Sequence, residues 1–222
     1  MLAFFKKYRL FTIVMSCLSV IILITFYFAL KKERMLKVYE PEDFNSELVD
    51  PSIQHVRKYH TIKDFKLVNQ NGDTITQETY KDKIYVADFF FTTCQSICPV
   101  MTKNMALIQK EILDDDDILL LSHSVTPEID SVAQLKRYAI EKGVIDAKWN
   151  LVTGDRKQIY DLARKSYMAV KSDGTEGYGM IHTENFVLID KEKRVRGTYD
   201  GTNDEEIQEL LGDIKILKKS YK

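Results

Sequence analysis

Cysteine is scarce in this chain, with three residues in 222. That is too few for a disulfide framework, so an apolar core has to hold the fold. Proline numbers four and glycine nine, which excludes collagen-like and proline-rich low-complexity chains. Neither sign of charge prevails: Lys and Arg total 32 against 33 Asp and Glu, a formal net charge of −1. There is no basic excess to point to nucleic acid and no acidic tail; the run 114–117 of four Asp reads as a solvated turn. No internal repeat is present. The length outside the one long apolar run suits a single domain with a core of its own.

That run is LFTIVMSCLSVIILITFYFAL, Leu10 to Leu30, 21 residues without a charge. As a helix it would span about 30 Å of hydrocarbon. Lys6, Lys7 and Arg9 precede it and Lys31, Lys32 and Arg34 follow it, so flanking charge does not fix its orientation. Its length and the lack of a small-residue cleavage site after it favour an anchor over a signal peptide. Cys17 lies inside the apolar run, which continues well past it, and reads as membrane-buried rather than as an acylation site. Residues 31–60, charged and containing Pro41 and Pro51, read as a juxtamembrane tether, with His55 and His60 exposed on it. Residues 61–222 remain for the globular domain.

Strand and helix patterns alternate through that domain. Phe65 to Thr76 carries Asn71-Gly72 between two alternating segments, a hairpin signal. Ile84 to Phe91 and Ile118 to Val125 are nearly continuous apolar runs, as strands buried on both faces should be. Between them, Met101, Met105, Ile108 and Ile112 form one helical stripe behind Pro99. Asp130 is placed to cap a helix carrying Val132, Leu135 and Ala139; Asp155 with Gln158 has capping-box spacing; Thr202 or Asn203 caps a last helix. NFVLID and RVRGTY make a second hairpin. The expected fold is α/β and thioredoxin-like: a central mixed sheet with helices on both faces and an N-terminal β-hairpin, behind one transmembrane helix.

The chemistry concentrates in FFFTTCQSICPVM, Phe89 to Met101. Cys94 and Cys98, the only cysteines outside the apolar run, bracket three residues at a strand-to-helix junction. Backbone N–H groups at a helix start favour thiolate, so both sulfurs are expected to be more acidic than an ordinary thiol. Thiolate is both nucleophile and metal ligand, which leaves two readings, thiol–disulfide exchange and metal binding. Zinc would need two further ligands, and no second Cys pair or His-x3-His is present. Copper is satisfied by two thiolates and one imidazole, as Cu(I), or as Cu(II) with an added oxygen donor. His182, in GYGMIHTENFVLID at the mouth of a strand, is the candidate third ligand; His123, inside a strand, is the reserve. Met101 and Met105 belong to the core stripe. Tyr178 and Met180 could line the site.

These segments resemble the Sco/SenC family of membrane-anchored, thioredoxin-fold copper proteins that assemble the dinuclear copper centre of cytochrome c oxidase. FFFTTCQSICPVMTKNM resembles the family's F-x-F-T-x-C-x-x-x-C-P motif. SVTPEIDSVAQLKRYA resembles its S-V-D-P-x-x-D segment, WNLVTGD its L-T-G stretch, and IHTENFVLIDKEKRVRGTYDG its His–strand–hairpin segment. The resemblance runs from about Phe65 to Ile214 and implies copper held by Cys94, Cys98 and His182. One position departs: Thr126 stands where the family usually has Asp, whereas Asp130 is retained. Exchangers of this fold keep a proline just before the strand that His182 precedes, and none of Pro41, Pro51, Pro99 and Pro127 lies there.

The expected function is therefore a membrane-anchored copper chaperone, a binding protein rather than an enzyme. Its partners would be the copper-bearing oxidase subunit or other copper proteins, and a thiol reductant. The alternative is an oxidoreductase that cycles Cys94 and Cys98 to keep partner cysteines reduced; peroxidase activity lacks the nearby Arg it needs. Copper handling implies residues 1–9 in the cytoplasm and the domain on the periplasmic side of a bacterial inner membrane.

Overall fold

Seven consecutive residues of IYVADFF are buried in the computed structural model, which describes residues 8–30, 35–44, 46, 49–170 and 183–221. This strand, β3 (Ile84–Phe90), can be buried throughout because it lies inside the sheet with packing on both faces. The other strands are β1 (Lys66–Asn69), β2 (Thr74–Thr76), β4 (Ile118–Ser124), β5 (Trp149–Thr153), β6 (Asn185–Ile189) and β7 (Val195–Asp200). They form one seven-stranded sheet in the order β2-β1-β5-β4-β3-β6-β7. β3, β4 and β5 run parallel, and the remaining neighbours pair antiparallel.

The helices are α1 (Arg9–Leu30), α2 (Cys98–Glu111), α3 (Val132–Lys142), α4 (Arg156–Lys165) and α5 (Asp204–Lys219). Two cores follow from the strand alternation. On one face Val86, Phe90, Leu120 and Leu188 meet Met101 and Met105 of α2, Leu135 of α3 and Leu210 of α5. On the other, Tyr85, Ala87, Phe89 and Leu121 meet Ile159 and Leu162 of α4, with Val49, Ile62 and Phe65. Helices thus cover both faces, as expected from the alternation.

The chain divides into two compact units, Met1–Met35 and Leu36–Lys222. In the first, α1 is 22 residues long, about 33 Å at 1.5 Å per residue. Its stretch Arg9–Tyr27 is long and apolar enough to cross a membrane, and none of it is buried in the protein. The second unit corrects the tether. Residues 31–60 were expected to be free, yet from Leu36 the chain packs on the domain. Tyr39 bridges Val195 on the edge strand β7, which covers part of an otherwise open edge. Arg196, paired with buried Asp190, donates to the carbonyls of Lys37 at 3.0 Å and Leu36 at 2.5 Å. The Glu40 carboxylate accepts the backbone N–H groups of Tyr59 and His60. His60 is not exposed as expected: it is buried, with Nε2 2.8 Å from the Ser166 carbonyl, whereas His55 is exposed. These contacts are single and irregular, so no period in the sequence announces them.

One cap differs from expectation. Ser131, not Asp130, caps α3, its hydroxyl accepting from the Gln134 N–H at 3.3 Å. Asn203, one of the two expected candidates, caps α5. Asp155 caps α4 as expected.

Candidate metal centre at the carboxyl end of the sheet

Parallel pairing aligns the carboxyl ends of β3 and β4, with Phe90 opposite Ser124. β6 runs the other way, and its pairing of Val187 with Ala87 brings its first residue to the same end. The loops that follow β3 and β4 and the one that precedes β6 therefore gather there. The first of them carries Cys94.

Phe90 ends β3, and the Cys94 N–H returns to the Phe91 carbonyl at 3.3 Å, so residues 91–94 form a β-turn. α2 then starts at Cys98 with Pro99 in its first turn. Its cap position is Ile97, whose side chain cannot accept a hydrogen bond. The Cys94 sulfur fills that role, accepting from the Cys98 N–H at 3.5 Å, with Ser96 Oγ also 3.5 Å away. The sequence thus places one sulfur on the loop and the other on the first helical turn, and the structure brings the two together as free thiols.

The two sulfurs are not equally acidic, which corrects the expectation for the pair. Burial works against the Cys94 thiolate, but hydrogen bonds from Ser96 and Cys98 outweigh it and hold the group down at about 7. Cys98 lies in the core beside Phe90 and Met101; burial first, then Cys94, push it up to about 12. The helix start therefore acts on the loop sulfur, which faces it.

His182 lies outside the described residues, as do Tyr178 and Met180. What is described is the anchor next to it. Thr183 is buried, its hydroxyl donates to the Ala169 carbonyl at 2.6 Å, and Asn185 Nδ2 donates to the same oxygen at 3.1 Å. Among the described residues no group of three or more His, Cys, Asp or Glu forms a metal cluster.

The reserve ligand His123 is not at the site. Its ring stacks on Phe89 at 4.7 Å and meets Tyr167 and Phe65, all on the sheet face opposite Cys98. Nδ1 is 3.2 Å from the Asp88 carbonyl, Nε2 has no hydrogen-bond partner, and burial pushes the group down to about 4. Strand alternation decides this: His123 pairs with Phe89 and shares its face. Met101 and Met105 are fully buried core residues, as expected.

One group escaped the sequence reading. Asp88 is buried in β3, with one carboxylate oxygen lacking a hydrogen-bond partner, and burial pushes it up to about 7. The signal was available, a lone carboxylate within the apolar run IYVADFFF. Asp130, read from the sequence as a helix cap, instead turns inward to the loop that bears Cys94.

Comparison with known proteins identifies the arrangement. The SCO1/SenC family pattern matches residues 53–218. The SCO1 protein homolog of Bacillus subtilis (strain 168) is 31% identical over 160 residues, covering 70% of this chain and 82% of that protein. The structure of BsSco, described as a member of the Sco family of cytochrome c oxidase assembly proteins in which a disulfide switch was identified, superposes with a TM-score of 0.61. It is 30% identical and covers 71% of this chain and 93% of its own. ScoI of Bradyrhizobium japonicum, solved with copper bound, shares the fold at 24% identity and a TM-score of 0.56, over 72% of this chain and 99% of its own. With the Cys pair, the thioredoxin-like sheet and the matched span all in agreement, the chain belongs to the SCO1/SenC family.

Proposed function

We propose that this protein binds one copper ion through Cys94, Cys98 and His182 and passes it to a copper-bearing subunit of cytochrome c oxidase, from the periplasmic side of a bacterial inner membrane. The observation that carries the reading is the sulfur pair itself. One thiol, held down to about 7 by its hydrogen bonds, is half-buried at the end of the sheet; the other sits within its reach on α2. Two such sulfurs form a soft donor set that suits Cu(I) better than harder ions. His182 directly precedes Thr183, which is fixed at the same end of the sheet, so a third donor is close by along the chain. The naming of copper and of oxidase assembly among structural relatives supports the same assignment. α1 supplies the anchor, and hand-over is ligand exchange from these sulfurs to those of the acceptor.

The test is a Cu(I) titration of the full-length chain in detergent micelles, reduced under anaerobic conditions and carrying Cys17→Ser. One equivalent is expected, with loss of tight binding in Cys94→Ser and Cys98→Ser and a drop of about tenfold or more in His182→Ala. Unchanged affinity in His182→Ala would remove it from the ligand set. A second reading has its own support: an acidic half-buried thiol beside a buried, weakly acidic one is the asymmetry of an attacking and a resolving cysteine. Reduction of a protein disulfide at undiminished rate by His182→Ala would favour that exchange role.

A further inference from the structure

Asp130 was expected to cap a helix, and Ser131 does so instead. The Asp130 carboxylate is fully buried, and it accepts four hydrogen bonds, all from neutral donors. Oδ1 takes the Thr92 hydroxyl at 2.5 Å; Oδ2 takes the Thr92 N–H at 3.2 Å, the Ser124 hydroxyl at 2.6 Å and the Thr126 hydroxyl at 3.1 Å. Gln134 Nε2, from the first turn of α3, donates to Thr92 Oγ1 at 3.0 Å. One carboxylate thus ties the end of β4, the loop after it and the loop after β3 together.

Thr92 is where this network touches function. It is the second residue of the β-turn that Phe91 opens and Cys94 closes, and both its backbone N–H and its hydroxyl are held by Asp130. With Thr92 fixed twice, the turn has little freedom left, and the Cys94 sulfur is presented to the Cys98 N–H. We infer that Asp130 and Thr92 are positioning residues for Cys94: the clamp holds the open dithiol ready for its ligand or partner and disfavours closure of the pair to a disulfide. Thr126 belongs to the clamp. An ionised Asp, as the family resemblance would place there, has no proton to donate to Asp130, so in this chain the threonine supplies a donor where a second carboxylate would repel.

The inference rests on the reading of Cys94 and Cys98 as the working pair, but its test needs no copper. Full-length chain in micelles, carrying Cys17→Ser, is equilibrated with reduced and oxidised glutathione. The dithiol gives two electrons and two protons to oxidised glutathione, forming the Cys94–Cys98 disulfide and two reduced glutathiones. Removing the Thr92 hydroxyl in Thr92→Val should shift this equilibrium toward the disulfide by about fivefold, the effect of one hydrogen bond. Thr92→Ser, which keeps the hydroxyl, should stay within about twofold of the parent on that same scale. Asp130→Asn should shift it the same way as Thr92→Val. An unchanged equilibrium in Thr92→Val, even with a lower melting temperature, overturns the inference, and so does an equal shift in Thr92→Ser. Should Asp130→Asn fail to fold, the Thr92 pair decides alone. Absence of copper binding by the parent would remove the copper reading and leave this result standing.

Discussion

Cys94 and Cys98 stand four positions apart, yet their acidities are pushed in opposite directions, Cys94 down to about 7 and Cys98 up to about 12. At the residue scale the cause is solvent. Cys98 packs beneath Phe90 and Met101, while Cys94 keeps partial exposure and collects hydrogen bonds at the helix start. Asp88 shows the same physics, with a consequence for stability. Its carboxyl is held up at about 7 against an ordinary 3.8. Between those values the unfolded chain gives up a proton that the folded chain keeps, so stability falls as pH rises through that window and levels off above it. The loss amounts to about 4 kcal/mol at 1.36 kcal/mol per pH unit. Asp88→Asn is therefore expected to raise the melting temperature at pH 8 by about 5 °C or more, with the gain vanishing near pH 4. A gain of equal size at both pH values would count against an ionisation cost. Motif spacing made the Cys pair legible. The burial of Asp88 follows from a lone carboxylate in an apolar strand, but its missing partner depends on neighbours from other strands.

Elements explain why only one sulfur is activated. α2 begins at Cys98 behind Ile97, which offers no capping side chain, so the helix start is served by the sulfur of the preceding loop. The apolar stripe Met101, Met105, Ile108 and Ile112 fixed the helix and its buried face from spacing alone. The direction of the Cys98 side chain did not follow from spacing, because it depends on where α2 lies on the sheet. Alkylation of the reduced chain should therefore be selective. Iodoacetamide should modify Cys94 with a half-maximal rate near pH 7 and leave Cys98 untouched until the protein unfolds. Equal labelling of both at pH 7, read by peptide mass mapping, would contradict the assigned asymmetry. The α3 cap carries a similar lesson: Asp130 and Ser131 are adjacent and both able to cap, and only the donors waiting inside, on Thr92, Ser124 and Thr126, decide between them.

At the scale of the whole molecule, the domain begins earlier than its regular secondary structure. Among its described residues the stretch Leu36 to His60 contains no strand or α-helix, yet it is fixed by Arg196, Glu40 and His60 to both the edge strand and the end of α4. The Arg196 guanidinium also neutralises Asp190, itself buried and held by Arg194. Arg196→Leu should free the segment and leave Asp190 half compensated, at a cost on the order of 2–4 kcal/mol. Trypsin should then cleave at Lys37, Arg57 or Lys58 well before the core is cut, whereas the parent chain should resist there. Unchanged protection would mean that the apolar contacts of Val49 and Ile62 hold the segment without the arginine.

The sequence by itself determined the apolar helix, the alternation of strands and helices, the Cys pair at a strand–helix junction and the family. All of these are local patterns, set by period, spacing and residue type along a short stretch. The tertiary structure alone decided which partner each polar group meets. It put His123 on the face away from the sulfurs, divided the acidity between Cys94 and Cys98, drew His60 into the core and turned Asp130 from a cap into the anchor of the Cys94 turn. Each of these depends on residues distant in sequence meeting at one end or one face of the sheet, where burial sets the cost of a charge and a few hydrogen bonds decide its place.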